Sequence, residues 1–416
     1  MSYGLLGKTL QHSFSPQIHQ KIGDYSYQLF EVAPDDLPHF FEASHWQGIN
    51  VTIPYKEAVM DFCDIIDDKA RRIGCVNTIV RQKDGTLFGT NTDYDGFLFS
   101  LHHAGINVEN KKCLILGNGA TSKTIRTVLT DEGAREILNI ARHDGIPYDD
   151  IHLHHDAEII INATPVGMYP DTPKALIQLE GFHKLEAVFD VIYNPHFSQL
   201  LLDAQKKGAI VCDGLPMLVA QAVVAANYFV GVSDIGETIL PILSDMRYQT
   251  ENIVLIGMPG VGKSSVGRTI ARKMKRPFVD IDTVIKKAHG DIPTFIEKNG
   301  IEAFRTLESR YIAEYGKEHG QIIATGGGAI LKQKNKAPLQ QNGRLYWLER
   351  PLKQLATKGR PLSQGGYDTL RKLNRERRPL YQDFADRHIS HYGITRSAKI
   401  IMEDFYETIY HQRPQS

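Results

Sequence analysis

The chain has 416 residues, enough for two or three domains at roughly 100–200 residues each. Its 42% hydrophobic and 23% charged residues are typical of a globular protein with a buried core. Lys plus Arg and Asp plus Glu number 48 each, so the composition provides no net charge that would attract nucleic acid or an anionic membrane. We therefore expect neither a nucleic-acid partner nor a membrane partner, and any basic site must be local.

The cysteine pattern and the apolar segments indicate a cytoplasmic protein. The chain contains four cysteines, which form no C-x-x-C pair: Cys63, Cys75, Cys113 and Cys212. This spacing predicts neither a disulfide framework nor a zinc site. The N-terminal sequence lacks the basic and apolar regions of a signal peptide. The apolar stretch from Leu215 is at the lower limit for a membrane span, and polar residues and a proline interrupt it, so we interpret it as a buried helix.

Short β-branched runs alternate with amphipathic segments along the chain, which predicts an α/β fold. The first predicted strands are YGLLG, YQLFEV, INVTI and NTIVRQ. A second series starts at Lys112 and comprises KCLILG, EILNIA, EIIINAT, AVFDVI and AIVCDG. A polar stretch without clear periodicity, starting at Ser244, separates the apolar helix after Gly214 from a further strand, IVLIGM. We predict the main domain boundary there, near Gln249.

The loop after IVLIGM matches the phosphate-binding pattern G-x-x-x-x-G-K-[ST] without a mismatch. Gly257, Gly260 and Gly262 allow backbone N–H groups to turn toward phosphate oxygens. Lys263 can reach the β- and γ-phosphates, and the Ser264 hydroxyl can ligate Mg²⁺. The alternative is a glycine-rich turn that happens to precede a helix. Because the loop matches the whole pattern and lies between a predicted strand and a predicted helix, this alternative is disfavoured. The loop predicts a nucleoside triphosphate site.

The loop LILGNGATSK is a weaker match, to the dinucleotide-binding pattern. Gly117 and Gly119 follow a predicted strand and precede a predicted helix, but Ser122 stands where the third glycine is expected. Arg142 follows the next strand, where an acidic residue would favour NAD, so an NADP 2′-phosphate is the better prediction. Asp144 lies close by and is the counter-candidate. A plain strand-to-helix turn stays open on these residues alone.

Ser13 and Ser15 lie just before a predicted helix in HSFSPQIH. Ser15 before Pro16 is a good helix N-cap, with the proline at the first helical position. That structural role does not explain Ser13.

Further polar residues end predicted strands in the first half. Thr52 ends one strand and Lys56 is expected in the first turn of the following helix, where a cation opposes the helix dipole. Asn77 lies in CVNTI, and Asn91 and Asp93 lie in GTNTDYDGF. Asp93 alone could be an N-cap. A lysine and an acid at strand ends, followed by a dinucleotide-type loop, indicate a role beyond capping.

Seven segments together, in order over about residues 1–245, resemble shikimate dehydrogenase. They are GLLGKTLQHSFSPQIH, NVTIPYKEA, CVNTIV, NTDYDGF, NATPVGM, VFDVIYNP and GLPMLVAQA. The resemblance implies NADPH-dependent reduction of 3-dehydroshikimate to shikimate, in either direction. It implies Lys56 and Asp93 as the catalytic pair and a substrate site of Ser13, Ser15, Thr52, Asn77, Asp93 and Gln221. It further implies a cofactor site of Gly117, Gly119, Ala120, Ser122, Arg142, Thr164 and Gly214.

The chain departs from this family at the cofactor loop. Members usually read G-x-G-G-A-S, where this chain has Gly117-Asn-Gly119-Ala120-Thr-Ser122, and N-R-T is replaced by Ala141-Arg142-His143. Ser198-Gln199 also replaces a more usual threonine-proline step. Two alternatives follow for this half: an NAD-dependent quinate dehydrogenase, or a non-catalytic domain that senses shikimate.

The second half supplies acids and arginines after its phosphate loop. Asp280 and Asp282 stand at i, i+2 in FVDIDTVI, suited to assisting Mg²⁺ and accepting a hydroxyl proton. Arg305 and Glu308 have helical i, i+3 spacing, for which an exposed ion pair is the simplest interpretation. Arg360 lies in KGRPLSQGG, a segment suited to a lid.

Glycines and arginines complete the set of candidate site residues in the second half. Three glycines, Gly326 to Gly328, follow a strand, where backbone can closely approach a ligand. Arg375, Arg377 and Arg378 cluster in NRERRPLYQDFAD, and two of the three are expected on a solvated helix face.

Residues from about 250 to 416 together resemble shikimate kinase, which implies ATP-dependent phosphorylation of the shikimate 3-hydroxyl. The implied substrate site is Asp282, Arg305, Gly327, Gly328 and Arg377, with Asp282 as the base. Arg377 is chosen because it begins the family pattern R-x-P-L-Y. The implied ATP site is Gly257, Gly260, Gly262, Lys263, Ser264 and Ser265, with Lys263 and Arg360 as catalytic cations. Ser264 and Asp280 would hold Mg²⁺. Ser363 replaces an apolar residue common in the lid.

The expected organisation has three parts: a substrate-binding domain over 1–102, completed by a helix at about 215–245, a Rossmann-like NADP domain over 103–245, and a P-loop kinase domain over 250–416. The histidine-rich run HLHHD from His152 is interpreted as a solvated loop rather than a metal site. The sequence leaves a homodimer open.

Overall fold

The computed structural model describes residues 2–10, 13–43, 45–170, 174–355, 366–390 and 393–410. The chain forms two compact units. Unit 1 comprises mainly Met1–Tyr193 and Leu200–Met246, and unit 2 comprises Asn194–Gln199 and Arg247–Gln412.

Unit 1 begins with a six-stranded mixed sheet in the order β2-β1-β3-β5-β6-β4. Its strands are β1 (Ser2–Gly7), β2 (Tyr27–Glu31), β3 (Trp46–Val51), β4 (Ile65–Ile66), β5 (Thr78–Arg81) and β6 (Leu87–Thr90). β1 runs parallel to β2 and β3, while β5 is antiparallel to both β3 and β6. The C-terminal ends of β1, β3 and β6 and the N-terminal end of β5 therefore lie at one edge of the sheet.

The second sheet of unit 1 is five-stranded and parallel, in the order β11-β10-β9-β7-β8. Its strands are β7 (Lys112–Leu116), β8 (Glu136–Ile140), β9 (Ile159–Asn162), β10 (Ala187–Asp190) and β11 (Ile210–Cys212). β8 lies on one side of β7 and β9 lies on the other, so the order in which successive strands are added reverses at β7. In a doubly wound sheet this switch point forms the ligand-binding crevice at the carboxyl ends of the strands.

The helices of this part of the chain are α1 (Ser15–Ile22), α2 (Leu37–Glu42), α3 (Asp68–Ile73), α4 (Asp93–Ala104), α5 (Ala120–Asp131), α6 (Gln199–Lys206), α7 (Leu215–Val230) and α8 (Ile235–Thr250). α7 contains the apolar stretch from Leu215, and most of its side chains are buried, which confirms the interpretation as a buried helix. Among the residues that the structure describes, no helix is long and apolar enough to cross a membrane.

Unit 2 contains a five-stranded parallel sheet in the order β13-β14-β12-β15-β16. Its strands are β12 (Asn252–Ile256), β13 (Phe278–Asp280), β14 (Ile322–Ala324), β15 (Gly343–Glu349) and β16 (Arg387–Ser390). Its helices are α9 (Lys263–Met274), α10 (Ile281–His289), α11 (Ile292–Asn299), α12 (Ile301–Gly316), α13 (Lys336–Gln340), α14 (Gly366–Phe384) and α15 (Ile394–Tyr410). The central strand β12 is fully buried, as its unbroken apolar run requires of a strand covered on both faces.

Two segments differ from the sequence-based expectation. The polar stretch from Ser244 is helical, because it continues α8 to Thr250. The histidine-rich segment forms a 3₁₀ helix over Tyr148–His154 instead of a loop. Next to it, the His155 ring packs on Phe182 with centroids 4.8 Å apart, and Asp156 pairs with Lys112 at 2.9 Å.

Candidate active sites

In unit 1, Lys56 and Asp93 form a buried ion pair. Lys56 Nζ lies 2.5 Å from Asp93 Oδ2, and the two residues are only 9% and 7% exposed. Lys56 lies in a turn before a 3₁₀ helix (Ala58–Phe62), not in the first helical turn as predicted, so the dipole argument does not apply. Asp93 is the first residue of α4 and Thr92 is its N-cap, so Asp93 is not the cap. An ammonium and a carboxylate in contact and shielded from water can hold and transfer a proton.

The sheet edge brings the predicted substrate residues of this half together in one region. Thr52 follows β3, Asn77 precedes β5 and Asp93 follows β6, and these strand ends share the edge described above. Asn77 is 2% exposed, and its Oδ1 accepts the backbone N–H of Thr92 at 2.6 Å. The amide is therefore anchored at the start of the helix that carries Asp93.

The serines take a different local geometry from the predicted one. α1 begins at Ser15 itself, with Phe14 in the cap position, so Ser15 is not the N-cap. Instead the Ser13 hydroxyl accepts the backbone N–H of Ser15 at 3.2 Å. This contact gives Ser13 a structural role at the start of α1.

Gln221 is buried on α7, where it faces α4. Its Nε2 donates to the Leu218 carbonyl at 2.9 Å. A Cβ at Gly96 of α4 would lie 2.6 Å from the Met217 carbonyl and 3.0 Å from Gln221 Cβ, so only glycine allows this approach. Gly96 was not predicted from the sequence, although the small residue one turn after Asp93 was the available signal.

The second sheet of unit 1 carries the dinucleotide-type loop at its switch point. Gly117 follows β7 with φ +105°, and a Cβ there would lie 2.8 Å from Thr164 Cγ2, just after β9. α5 begins at Ala120 without a side-chain cap, and a Cβ at Gly119 would meet no atom within 4 Å. Gly214 is required by close packing, because a Cβ there would lie 2.0 Å from the Val191 carbonyl.

Asn139 on β8 connects the residues of this loop through hydrogen bonds, and no sequence motif marks it. Its Nδ2 donates to the Gly117 carbonyl at 2.9 Å and contacts Ser122 Oγ at 2.6 Å. Its Oδ1 accepts from Arg126 Nε at 3.0 Å. Ser122, which replaces the third glycine, is therefore used as a hydrogen-bonding partner.

The turn after β8 carries both candidates for recognising the cofactor ribose. Arg142 and Asp144 are exposed, and Asp144 has φ +52°. The Asp144 backbone carbonyl accepts from Asn118 Nδ2 at 2.8 Å, so the turn is fixed to the dinucleotide-type loop.

In unit 2, the phosphate loop has the conformation its glycines predict. Gly257, Gly260 and Gly262 have φ of +142°, +83° and +106°. Lys263 is buried, and its Nζ donates to the Gly257 and Met258 carbonyls at 2.8 and 3.2 Å, so its charge lies inside the loop.

The Ser264 hydroxyl and the Asp280 carboxylate converge at the loop. Ser264 Oγ donates to Asp280 Oδ2 at 2.5 Å. Asp280 Oδ1 accepts the Thr283 N–H at 3.1 Å, so the same carboxylate caps α10 and is held in place. Ser265 follows in α9 and is half-buried.

Arg305 and Glu308 of α12 form a buried pair, contrary to the simplest expectation of an exposed one. Arg305 Nη1 lies 2.6 Å from Glu308 Oε2, and Glu308 is fully buried. Burial raises the pKa of Glu308, while the neighbouring Arg305 opposes that rise. The residue spacing predicted the contact but could not show which helix face is covered.

The glycines after β14 lie against these charged groups. A Cβ at Gly326 would lie 2.8 Å from Asp282 Oδ1, and one at Gly328 would lie 2.2 Å from Arg305 Nη2. The Gly327 carbonyl accepts from Arg377 Nη1 at 2.9 Å. Asp282, Arg305 and Arg377 are therefore arranged around one glycine turn.

Of the three clustered arginines, Arg377 is buried, while Arg375 and Arg378 are exposed, as expected for a partly solvated face. Tyr381, the tyrosine of the R-x-P-L-Y pattern, donates its hydroxyl to the Gly327 carbonyl at 2.6 Å. The predicted lid residues Arg360 and Ser363 lie outside the described residues.

Comparison with known proteins identifies both halves. The family model of the shikimate dehydrogenase substrate-binding domain matches residues 5–79, and the shikimate kinase model matches residues 259–409. Shikimate dehydrogenase (NADP(+)) of Clostridium beijerinckii is 35% identical over 243 residues, which are 54% of this chain and 89% of that protein. The chain belongs to the shikimate dehydrogenase family.

Solved structures agree with this assignment. Shikimate dehydrogenase 1 of Peptoclostridium difficile is 33% identical, with a TM-score of 0.55, covering 59% of this chain and 97% of that one. Shikimate 5-dehydrogenase of Thermus thermophilus, solved with NADP(H) and shikimate, is 28% identical, with a TM-score of 0.53, covering 59% and 99%. With its shikimate kinase domain, this chain is a bifunctional shikimate-pathway enzyme that uses NADP and ATP.

The residues of both cofactor loops suit these groups. At the dehydrogenase loop, the uncapped start of α5 and the open space at Gly119 leave backbone N–H groups available for a pyrophosphate. At the kinase loop, the buried Lys263 and the converging Ser264 and Asp280 oxygens suit phosphates and Mg²⁺.

Replacing Asn139 with alanine is expected to weaken NADP binding by the dehydrogenase. The change removes the two contacts from Nδ2 to the loop, so the loop loses its fixed geometry and the KM for NADP⁺ should rise about tenfold. The KM for shikimate should stay unchanged. The measurement is initial-rate kinetics with each substrate varied in turn.

Asn107→Ala is the matched control for Asn139→Ala, because Asn107 is an exposed asparagine of unit 1 that contacts only the N–H of Glu109 among described residues. An unchanged KM for NADP⁺ in the Asn139 variant would show that the loop holds its geometry without this side chain.

A buried histidine makes unit 1 sensitive to acid. His19 of α1 is fully buried, and its burial lowers the pKa of the imidazole to about 3. Between pH 6.5 and about 3 the unfolded chain binds a proton there that the folded chain does not. The free energy of unfolding should therefore fall as the pH falls through this window, by up to about 1.4 kcal/mol per pH unit from this group.

Urea unfolding between pH 7 and 4 tests this expectation. The chain has two tryptophans, Trp46 in unit 1 and Trp347 in unit 2, so a Trp347→Phe background makes emission report unit 1. Adding His19→Phe should flatten the pH dependence, because phenylalanine can stack on Tyr27 but cannot titrate. Equal slopes with and without His19 would contradict the assignment.

Proposed function

We propose that unit 1 reduces 3-dehydroshikimate to shikimate with NADPH and that unit 2 phosphorylates the 3-hydroxyl of shikimate with ATP. The observation that carries the proposal is the buried Lys56–Asp93 pair at the sheet edge where the other polar residues converge. A catalytically inactive sensing domain would not need to keep a desolvated ion pair, which is costly unless it has a use.

In the reductase site, Lys56 is the proton donor. Bound NADPH supplies the hydride to the ketone carbon. Lys56 Nζ then donates its proton to the oxygen of the forming alkoxide, which becomes the shikimate hydroxyl. Asp93, 2.5 Å from Nζ, orients the ammonium and accepts a hydrogen bond from a substrate hydroxyl. The reverse reaction uses neutral Lys56 as the base.

The remaining residues of this site hold the substrate. The hydroxyls of Ser13 and Ser15 bind the carboxylate, and Thr52, Asn77 and Gln221 bind ring oxygens. Arg142 binds the 2′-phosphate of the cofactor, and Gly117, Gly119, Ala120, Ser122, Thr164 and Gly214 form the rest of its site.

In the kinase site, Asp282 accepts the proton of the attacking hydroxyl. Bound ATP with Mg²⁺ supplies the phosphoryl group. Arg305 and Arg377 bind the shikimate carboxylate, and the backbone of Gly327 and Gly328 lines the ring. Lys263 stabilises the negative charge that develops on the phosphates, a role that Arg360 shares.

We further propose that the enzyme is cytoplasmic, where NADPH and ATP are available and the four free thiols stay reduced. A homodimer is a hypothesis that light scattering on a sizing column would test.

NADPH fluorescence provides the test of the reductase function. Purified protein is mixed with shikimate and NADP⁺, and the assay is repeated with NAD⁺ and with quinate. We expect fast NADPH formation with shikimate and NADP⁺ only. Formation of NADH from quinate at a comparable rate would favour the quinate alternative. Consumption of ATP with shikimate but no reduced nucleotide would favour the sensing alternative.

A further inference from the structure

A series of hydrogen-bonded polar side chains, buried except for the partly buried Tyr27, crosses the first sheet of unit 1 and ends at the proposed substrate residue Asn77. Tyr27 on β2 donates its hydroxyl to Asn50 Oδ1 on β3 at 2.8 Å. Asn50 Nδ2 donates to Thr78 Oγ1 on β5 at 3.0 Å, and Thr78 Oγ1 lies 3.1 Å from Asn77 Oδ1. Asn50, Thr78 and Asn77 are each at most 4% exposed, so these groups depend on one another for their hydrogen bonds.

The hydrogen bonds that link these side chains run in one direction, from Tyr27 toward Asn77. The Tyr27 hydroxyl donates to Asn50 Oδ1, and burial, which raises the pKa of Tyr27 well above its ordinary value, keeps the proton on that hydroxyl. Asn50 must then present its oxygen to Tyr27 and its NH₂ group to Thr78. Because the Thr78 oxygen accepts from Asn50, its single hydrogen is left for Asn77 Oδ1 or for Thr92 Oγ1, which lies 3.0 Å away.

The consequence at Asn77 is a fixed amide orientation. Its Oδ1 also accepts from the Thr92 N–H at 2.6 Å and faces the Thr92 hydroxyl at 3.2 Å. All of these contacts use the oxygen, and no described residue accepts a hydrogen bond from Asn77 Nδ2. The NH₂ group is therefore the part of Asn77 that can face a ligand.

The Tyr27 ring is itself held in place. The His19 imidazole stacks on it with centroids 3.7 Å apart and an interplanar angle of 11°. The hydroxyl also contacts the side chain of Ser15, one of the two serines proposed to bind the substrate carboxylate. Tyr27 thus contacts one proposed substrate residue directly and reaches another through two side chains.

We propose that Tyr27 is a positioning residue for the cyclic substrate of the dehydrogenase. Its hydroxyl sets the direction of the hydrogen bonds Tyr27–Asn50–Thr78–Asn77, and these reinforce the Thr92 N–H in holding the Asn77 oxygen, so that Asn77 offers an N–H donor to a ring hydroxyl oxygen. Without that hydroxyl, Asn50 can rotate its amide and Thr78 can donate to Asn50 instead of Asn77, so Asn77 keeps only its contacts with Thr92 and is held less firmly. This inference rests on the proposed function of unit 1.

Steady-state kinetics of Tyr27→Phe in the full chain test the proposal. We expect the KM for shikimate in the dehydrogenase reaction to rise about tenfold, because Asn77 binds the substrate less well when Thr92 alone holds its oxygen. The KM for NADP⁺ should not change. The kinase rate, measured on the same preparation, should not change either.

Tyr3→Phe is the matched control. Tyr3 is the register partner of Tyr27 on β1. Its hydroxyl donates to the Phe229 carbonyl at 2.9 Å and takes no part in the hydrogen bonds that lead to Asn77. A loss of stability common to these two partly buried tyrosines would affect both variants, whereas only Tyr27→Phe should change the KM for shikimate.

A double-mutant cycle with Thr78→Val tests the coupling and also covers a Tyr27 variant that does not fold. Thr78→Val interrupts the same series of hydrogen bonds at another residue and should raise the KM for shikimate in the same way. In the double variant this KM should rise about as much as in the more affected single variant. An unchanged KM in Tyr27→Phe, an equal rise in Tyr3→Phe, or additive effects in the cycle would overturn the inference. Failure of the unaltered chain to oxidise shikimate would instead refute the proposed function.

Discussion

Replacing Lys56 with alanine should lower the dehydrogenase kcat by about 10²–10⁴-fold, the usual contribution of a general acid–base group. The alkoxide formed by hydride transfer would have no proton donor, and Asp93 would lose the partner that lies 2.5 Å away. The kinase rate should not change, because Lys56 belongs to unit 1 and the kinase residues belong to unit 2. Both rates are measured on one preparation, with NADPH formation for the first and ADP formation for the second.

Lys69→Ala is the matched control for Lys56→Ala. Lys69 of α3 pairs with Asp95 of α4 at 2.6 Å, so this variant also removes a lysine–aspartate pair from unit 1. The pair is partly exposed and lies outside the proposed site, so we expect its loss to cost at most about 1 kcal/mol of stability and no activity. Unchanged dehydrogenase turnover in Lys56→Ala would remove Lys56 from the mechanism.

Asp282→Asn should lower the kinase kcat by about 10²–10⁴-fold while the dehydrogenase stays fully active. An amide cannot accept the proton of the attacking hydroxyl, although it fills the same space. Asp282 Oδ1 would lie 2.8 Å from a Cβ at Gly326, next to Glu308, so the carboxylate is close to the glycine turn that lines the proposed shikimate site.

Asp291→Asn is the control for this acid-to-amide change. Asp291 is the exposed N-cap of α11, and asparagine caps a helix about as well as aspartate. If Asp282→Asn kept the unaltered kinase rate, the base would have to be another group.

Local patterns in the sequence predicted most of the architecture. β-branched runs located the strands that carry the sites, and three glycines with a lysine and a serine predicted the phosphate loop, whose φ angles the structure confirms. These features depend on a few adjacent residues. The family resemblance added the catalytic pair, whose members lie 37 residues apart in the chain.

Features that depend on tertiary packing were not predicted. Asn139, Tyr27 and Gly96 act through contacts with residues distant in the chain, and no short motif marks them. The spacing of Arg305 and Glu308 predicted a pair but not its burial. α8 extends past Ser244 because apolar residues recur along it at helical spacing and are buried: Ile239, Ile242, Leu243 and Met246. Polar residues between them make this periodicity hard to recognise in the sequence.

Helix starts were misplaced by a single residue. Ser15 and Asp93 were considered as caps, but each is the first residue of its helix. The difference is small along the chain, yet it means that neither side chain caps its helix.

The most direct test of the central claim, that one chain performs two consecutive reactions, starts from 3-dehydroshikimate, NADPH, ATP and Mg²⁺ with the purified full-length protein. NADPH loss is followed by absorbance, ADP by a separate assay and the product by mass spectrometry. We expect NADPH and ATP to be consumed in equal amounts and shikimate 3-phosphate to accumulate. ATP consumption from added shikimate, without NADPH consumption from 3-dehydroshikimate, would contradict it and leave a kinase joined to an inactive dehydrogenase domain.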